Sequence, residues 1–346
     1  MKLFTKTLSL LTAVCMTSAI ILSGCTVETA PPSSVETTAA QTTENTSAAE
    51  TTVDATTQPK SDRQEPLMWQ VTGKDGGKMY LFGTIHLGDE RNEQIMKKIA
   101  SKVDECDSLA VECDTVAYQN DYSAMIKNVY NMMYTDGTSV KDHMSAELYD
   151  KCKEYLSERD SYNQMYDMYH LSFWIQLLEQ TAIAESPLDT ELAMDTLLIN
   201  HANDNDQNIL EVESVDEQYE MLDSFSDEMY DLLLKEFFDS EKSYTDSISE
   251  MYEAWVVGDD SKLLEMLESD EESDEEELTE DQKKMVEDYN DKMYTSRNLK
   301  MAQKAQKYIE SGQTVFFAVG TAHMLSDEGL VKLLTDKGYT VEKITA

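Results

Sequence analysis

Two of the five histidines in this chain share one sequence context, which makes them candidates for metal binding. Residues 80–88 read YLFGTIHLG and residues 317–325 read FAVGTAHML, so each apolar run ends at Gly-Thr and a histidine follows two residues later. The repeat favours a metal site that is shared by His86 and His323. The alternative is two unrelated strand-to-loop turns with surface histidines.

Two glutamates end further apolar segments. Glu112 closes the segment SLAVE at 108–112, and Glu213 closes the segment NILEVE at 208–213. Two imidazoles and a carboxylate, with one position open for water, suit Zn²⁺, Mn²⁺, Fe²⁺ or Co²⁺. Because a bound metal lowers the pKa of its water, a second carboxylate could accept the proton. The alternative for each glutamate is a side chain that caps a helix or faces solvent.

Arg297 and two glycines complete the set of candidate residues. A guanidinium such as that of Arg297 can bind a substrate carboxylate or a developing oxyanion, and a structural salt bridge is an equal alternative. Gly83 and Gly320 stand three residues before the two histidines. The absence of a side chain there would let a substrate approach the backbone closely, so both glycines are candidate substrate-binding residues.

The elements that must position these residues form an α/β pattern. A β-hairpin is predicted where two apolar runs flank Asp-Gly-Gly at 75–77. Strands are indicated at 67–71, 78–82, 108–112, 208–213, 314–319 and 339–344. Helical periodicity dominates about 115–206 and 216–310. We therefore expect an α/β (α+β) domain at 65–346, with a mixed central β-sheet from the N- and C-terminal thirds and large helical insertions.

This arrangement gives the four candidate ligands a common location. His86, Glu112, Glu213 and His323 each stand at the end of a predicted strand or just past it. In α/β folds, binding sites form outside the carboxyl ends of the strands. We therefore expect the four side chains to converge at one edge of the sheet.

The first 25 residues have the features of an export signal. Lys2 and Lys6 form a positive region before an apolar stretch from Leu8 to Leu22, which is too short and too polar to span a membrane, so we expect its removal. The closing Leu-Ser-Gly-Cys resembles a bacterial lipobox, in which Cys25 would carry lipid; an ordinary signal peptide is the alternative. Residues 26–64 are rich in Thr, Ser, Ala and Glu and predict a disordered tether.

Charge and cysteine content limit the function further. The formal net charge of −40 argues against nucleic acid and against an anionic membrane surface as partners. Residues 268–281 are nearly all Asp, Glu and Ser, and a solvated loop is favoured there over a calcium site because the EF-hand pattern is absent. Cys106 and Cys113 are only a possible pair, because an odd number of mature cysteines besides Cys25 predicts no disulfide scaffold.

Short segments along the chain match, in order, those of a known family. They are 80–87, 109–112, 194–195, 197–198, 212–218, 297–298, 317–323, 329–330 and 338–339. The set resembles the TraB/PrgY/GumN family, to which the Tiki metalloproteases are related. The resemblance implies that His86 and His323 correspond to the histidines linked to metal and activity in the Tiki branch, where Mn²⁺ or Co²⁺ supports peptide hydrolysis. Asp195 in the matched 194–195 pair becomes a further candidate substrate-binding residue, and Ser326 stands where the family usually has glycine.

Residues and resemblance together predict a membrane-anchored, metal-dependent hydrolase that acts on peptides outside the cytoplasmic membrane. Its partners would be a peptide, a divalent metal ion (Mn, Co, Zn or Fe), and the membrane through lipid on Cys25. The alternative is a non-catalytic lipoprotein that binds or sequesters a peptide or pheromone, as the pheromone-shutdown relatives imply. A structural envelope lipoprotein would need neither histidine.

Overall fold

The computed structural model describes residues 63–74, 76–239, 243–268 and 278–345. The predicted signal segment at 1–25 with Cys25, nearly all of the tether at 26–64, and most of the acidic run at 268–281 lie outside the described residues. Within the described ranges, none of the helices combines the length and the apolar character needed to cross a membrane.

One mixed sheet of six strands forms the centre of the fold. The strands are β1 (Met68–Thr72), β2 (Lys78–Thr84), β3 (Ser108–Val111), β4 (Asn208–Glu211), β5 (Val315–Gly320) and β6 (Thr340–Ile344). Their order across the sheet is β4-β3-β5-β2-β1-β6. Neighbours from β4 to β2 run parallel, whereas β1 is antiparallel to both β2 and β6. The predicted α/β fold with a mixed sheet is confirmed.

The sequence of each strand explains its position in the sheet. All residues of β3 and β5 are buried, as expected for inner strands that are covered on both faces. The edge strand β6 exposes Glu342 and Lys343, and charges of this kind keep an edge strand from pairing with other chains. Pairing of Thr72 with Lys78 closes the predicted hairpin, although Asp75 of its turn lies outside the described residues.

Helices fill the long stretches between the strands. Before β4 they are α1 (Glu90–Asp104), α2 (Thr115–Asn120), α3 (Tyr122–Asn131), α4 (Val140–His143), α5 (Ala146–Ser157), α6 (Leu171–Ile183) and α7 (Met194–Asp204). After β4 they are α8 (Val215–Leu222), α9 (Asp227–Asp239), α10 (Tyr244–Val257), α11 (Asp260–Glu268), α12 (Glu280–Asn290), α13 (Ser296–Glu310) and α14 (Leu330–Asp336). Short 3₁₀ turns occur at Gln164–Met168 and Thr321–His323.

Helix α6 is the centre of the helical part of the molecule. Every residue from Leu171 to Ile183 is buried, so other elements surround α6 on all sides. Its apolar side chains pack with those of α5, α9 and α12 in a second core. The first core consists of the sheet together with α1, α7, α10 and α13. The buried helix also carries polar side chains, among them Gln176 and Glu179, into the interior.

A π-helical turn at Asp291–Thr295 links α12 to α13. Its wider geometry is seen in the bond from the backbone N–H of Ser296 to the carbonyl of Asp291, five residues earlier. The carbonyl of Met293 in this turn accepts a hydrogen bond of 3.1 Å from Nη1 of Arg297. The π turn therefore helps to fix the Arg297 side chain, and such turns occur frequently at functional sites.

The three cysteines in the described part of the chain carry free thiols. Cys106 and Cys113 therefore form no disulfide with each other. Burial, together with the charges of Glu105 and Asp107, raises the pKa of the Cys106 thiol to about 12, and burial also raises the pKa of Cys113. Because the thiolate is the nucleophilic form, these buried thiols are unsuited to covalent catalysis.

The buried carboxyl of Glu179 predicts how stability depends on pH. Burial raises its pKa well above the ordinary value of 4.5, although the Tyr244 hydroxyl lowers it in part. Between the unfolded and folded pKa values, the folded protein holds a proton that the unfolded chain has lost. The unfolding free energy contributed by this group therefore falls as pH rises above 4.5. We expect Glu179→Gln to remove this part of the fall, measured by urea denaturation at about pH 5 and about pH 8. Glu154→Gln, on the exposed face of α5, is the control. The same pH dependence in Glu179→Gln and in the unaltered protein would contradict the prediction.

Candidate functional site

Both repeated histidines lie at the carboxyl edge of the sheet. His86 follows β2, His323 ends the 3₁₀ turn after β5, and these parallel strands are neighbours in which Thr84 pairs with Gly320. A Cβ atom added to Gly320 would lie 3.6 Å from Nε2 of His86 and 3.7 Å from Cδ2 of His323. The two imidazole rings therefore border one small space, which exists because residue 320 has no side chain.

Each histidine is held through its Nδ1 atom. Nδ1 of His86 lies 2.8 Å from Oδ2 of Asp195, whose other oxygen accepts the Thr84 hydroxyl at 2.8 Å. Nδ1 of His323 lies 2.6 Å from Oδ1 of Asn298, whose amide nitrogen donates to a backbone carbonyl. Carboxylate and amide oxygens only accept, so both Nδ1 atoms carry the proton. In this tautomer Nε2 carries the lone pair that metal binding requires.

Asp195 is ionised although it is buried. Burial raises the pKa of its carboxyl, but the attraction that His86 exerts when it is protonated and the hydrogen bonds from His86 and Thr84 outweigh burial, so the pKa lies below the ordinary value. A carboxylate that accepts from the Nδ1–H of an imidazole increases the basicity of the other ring nitrogen. Asp195 therefore makes Nε2 of His86 a stronger candidate for metal binding.

Arg297 forms a buried ion cluster with both candidate glutamates. Nη2 of Arg297 donates to Glu213 at 2.7 Å and to Glu112 at 3.1 Å, and its Nε lies 3.0 Å from both carboxylate oxygens of Glu213. Gln218 of α8 donates to Glu112 at 3.3 Å and to Glu213 at 3.2 Å. The exposed fraction of each of the three charged residues is 8% or less, so protein groups and not water compensate these charges.

The two glutamates occupy different places in this cluster. Oε1 of Glu112 accepts the N–H of Gly320 at 2.6 Å and lies 3.9 Å from Nε2 of His323. The same oxygen lies 3.1 Å from the position of a Cβ on Gly320. Glu213, in contrast, directs both of its oxygens to Arg297. The structure thus brings His86, His323 and Glu112 together and places Glu213 beside Arg297.

The described residues contain no group of three or more His, Cys, Asp and Glu side chains with the spacing of a metal site. One pair of candidate donor atoms, Nε2 of His323 and Oε1 of Glu112, is separated by 3.9 Å. Two ligands at about 2.1 Å from one tetrahedral metal lie about 3.4 Å apart. The donors fit a divalent metal in type, and this pair would need to close by about half an ångström.

Two candidate substrate-binding residues make structural contacts. A Cβ on Gly83 would lie 2.6 Å from Oγ1 of Thr321, so Gly83 allows the two histidine turns to pack against each other. The carbonyl of Gly83 also accepts a hydrogen bond of 2.8 Å from the indole of Trp255. Asp195 contacts His86, as described above. Gly320 alone of the three borders the space between the histidines.

A pocket opens next to this space. Its polar side includes His86, Arg297 and His323 together with the two threonines of the repeat, and its apolar side comes mainly from α10, α11 and the π turn. Among the described residues, Glu112, Glu213 and Asp195 lie outside the pocket lining. Among the residues of this lining, the histidines, the arginine and the phenol of Tyr294 are therefore the charged or titratable groups that a ligand in the pocket would contact.

The family of the chain follows from its sequence. The sequence model of the TraB/PrgY/gumN family matches residues 67–343, which include every candidate residue of the site. The chain belongs to the TraB/PrgY/gumN family. Comparisons with curated proteins and with solved structures give no match.

Several site residues of this TraB/PrgY/gumN family member were not predicted to be functional from sequence. Gln218 and Asn298 lie in segments that match the family, and this was the signal that could have identified them. Thr84 belongs to the repeated Gly-Thr pair and holds Asp195. Ser326, where the family usually has glycine, adopts a φ of 70° in the left-handed region that favours glycine.

Removal of the Arg297 side chain should destabilise this TraB/PrgY/gumN family member strongly. Arg297→Ala leaves two buried carboxylates without a positive partner, and we expect a cost of about 3 kcal/mol or more in unfolding free energy. Lys127→Ala is the matched control, because Lys127 pairs with Asp216 while their side chains are 59% and 42% exposed. Its cost should be much smaller, because water screens the charges of an exposed pair. Urea denaturation measures both, and equally small costs would show that the two buried carboxylates do not depend on Arg297 for compensation of their charge.

Proposed function

We propose that the protein is a metal-dependent hydrolase that acts on peptides outside the cytoplasmic membrane, to which lipid on Cys25 anchors it. The observation that carries the proposal is the space beside Gly320, which is bordered by Nε2 of His86, the ring of His323 and Oε1 of Glu112. Two imidazoles and a carboxylate form a donor set suited to Mn²⁺, Co²⁺, Zn²⁺ or Fe²⁺. Their location at the carboxyl edge of parallel strands is typical of binding sites in α/β folds.

The charge of the site supports the binding of a cation. Glu112, Glu213 and Asp195 supply three carboxylates, and Arg297 supplies one guanidinium, so these buried side chains carry a formal excess of two negative charges. Burying an uncompensated charge is costly. A divalent cation beside the two histidines would remove that excess.

Each residue has a separate role in this proposal. Nε2 of His86, Nε2 of His323 and Oε1 of Glu112 hold the metal, which when bound supplies a Lewis acid and a water of lowered pKa. Glu213 orients Arg297 by accepting from it with both carboxylate oxygens. Arg297 is a residue of the pocket lining, and its guanidinium would stabilise the negative charge that develops on the carbonyl oxygen of the substrate.

Loss of either histidine should abolish metal binding and hydrolysis together. His86→Ala and His323→Ala each remove one ligand, and a site that lacks one ligand fails whichever ligand is missing. Metal content measured by mass spectrometry should fall from about one ion per chain to near zero in both variants, with the circular dichroism of a folded protein. His201→Ala is the control, because His201 of α7 pairs with Asp104 at the surface.

The glutamates refine the same experiment. Glu112→Gln should weaken metal binding, whereas Glu213→Gln should retain the metal and lower turnover, because Arg297 loses its support. Metal at the level of the unaltered protein in a His86→Ala, His323→Ala double variant would overturn the hydrolase. That result would favour the alternative, a protein that binds or sequesters peptides without cleaving them, which the apolar side of the pocket also suits.

The lipid anchor has its own test. The lipobox-like Leu-Ser-Gly-Cys at 22–25 supports the proposal that Cys25 is lipidated after removal of the preceding segment. Cys25→Ala should release the protein from the membrane fraction or leave an unprocessed precursor of higher mass. Cys15→Ala, within the same segment but before the cleavage position, is the control. Normal processing and unchanged membrane fractionation of Cys25→Ala would contradict the anchor.

A further inference from the structure

The pocket beside the histidines has an apolar side that the proposed chemistry does not use. Apart from Ile85 and Ala322 of the histidine turns, this apolar wall consists of Met251, Trp255, Leu263, Met266, Leu267, Met293 and Tyr294. None of these side chains is charged, in a chain with 68 acidic residues and a formal net charge of −40. A wall of this composition disfavours a charged ligand group, which would lose its hydration there, and accommodates an apolar one.

Trp255 gives the apolar wall a rigid centre. Its ring is buried, its indole N–H donates to the carbonyl of Gly83 at 2.8 Å, and the ring stacks on Tyr252 at a centroid distance of 6.0 Å. Phe82 packs edge-on against it at 6.4 Å. The indole therefore has a fixed orientation that is set from β2, the strand that also positions His86.

Methionines give the same wall an adaptable surface. Met251 and Met293 are buried, and Met266 on α11 is partly buried. Methionine side chains are flexible and polarisable, so they adjust to apolar groups of different shape. Since Met266 is less buried than the other wall residues of α10 and α11, substitution there changes the pocket with the least disturbance of the core.

The π turn places the apolar wall directly beside the reactive groups. Met293 belongs to the wall, and its carbonyl accepts a hydrogen bond of 3.1 Å from Arg297. The ring of Tyr294 lies 6.0 Å from the ring of His323. A substrate side chain that packs against the wall would therefore lie next to the peptide bond on which Arg297 and the histidines are proposed to act.

We propose that the apolar wall is a subsite for a bulky apolar side chain on the peptide residue next to the cleaved bond, and that Met266 sets the size of the side chain it accepts. The cleaved bond rests on the function proposed above. The binding of an apolar side chain does not, because it depends on the composition of the wall and not on metal or turnover.

Peptides that differ at one residue test the subsite. The probes are Ac-Gly-Gly-X-Gly-Gly-amide with X as Gly, Leu, Phe or Asp, and the full chain is measured with Mn²⁺ and with chelator. Calorimetry measures binding, and mass spectrometry measures cleavage. The Leu and Phe peptides should bind about tenfold or more tightly than the Gly peptide, because a buried apolar side chain contributes at least that factor. The Asp peptide should bind no better than the Gly peptide.

Substitutions of Met266 locate this preference in the pocket. Met266→Trp fills the subsite and should abolish the advantage of the Leu and Phe peptides. Met266→Ala enlarges the subsite and should increase the binding of the Phe peptide relative to that of the Leu peptide. Met165→Ala is the matched control, because Met165 is 58% exposed and remote from the pocket lining. If Met266→Trp does not fold, Met266→Ala still decides the question through the change in the ratio of Leu to Phe binding.

The outcomes distinguish the subsite from the hydrolase. Equal binding and equal cleavage of the Gly, Leu and Phe peptides would overturn the subsite and leave the hydrolase standing. Tighter binding of the Leu and Phe peptides without cleavage of any peptide would keep the subsite and overturn the hydrolase. A preference that Met266→Ala and a folded Met266→Trp both leave unchanged would overturn the subsite. So would tighter binding of an octanoylated Gly peptide than of the Leu and Phe peptides, which would assign the wall to an acyl chain.

Discussion

The parallel pairing of β2 with β5 is the constraint on which the site depends. It aligns Thr84 with Gly320, so that the two Gly-Thr-x-His turns leave the sheet side by side. A register shift of two residues would move one histidine by about 6.6 Å relative to the other, which no single metal ion could bridge. The buried side chains of both strands oppose such a shift, because it would replace the neighbours against which each side chain is closely packed in the core. The geometry of the site is therefore specified by the packing of the sheet.

Near these turns, charged side chains are buried at positions where apolar residues would stabilise the fold equally well. A buried group such as Arg297 with Glu112 and Glu213 gains from its ion pairs about what it loses in hydration, so its contribution to stability is small relative to an apolar replacement. The three residues come from α13 and from the ends of β3 and β4, elements far apart in the chain. A cluster assembled in this way, beside a pocket that one of its members lines, is more easily explained by function than by stability.

The sheet and the proximity of the two histidines could be predicted from the sequence, whereas the side chains that bind the glutamates could not. Strands with continuous apolar runs and the repeated Gly-Thr-x-His are local signals, so the proximity of His86 and His323 followed from them once β2 and β5 were placed in one sheet. The pairing of Glu213 with Arg297 is a long-range contact between side chains, and no local pattern indicates it. The apolar wall was equally hidden, because the Met and Leu spacing of α11 is the same whether a helix face lines a core or a pocket. The π turn has no sequence signature of its own.

The order of the strands along the chain has a consequence for how the molecule acquires its site. β1 and β2 are synthesised early, but β2 pairs with β5 and β1 pairs with β6. Both pairings therefore require the last two strands of the chain. Pairings between such distant segments form late in folding, because the closure of long loops costs entropy before the contacts repay it. Under the export proposed above, this order would separate translocation from maturation, because the segment that emerges first cannot complete the sheet alone. The two histidines meet only after β5 has paired with β2.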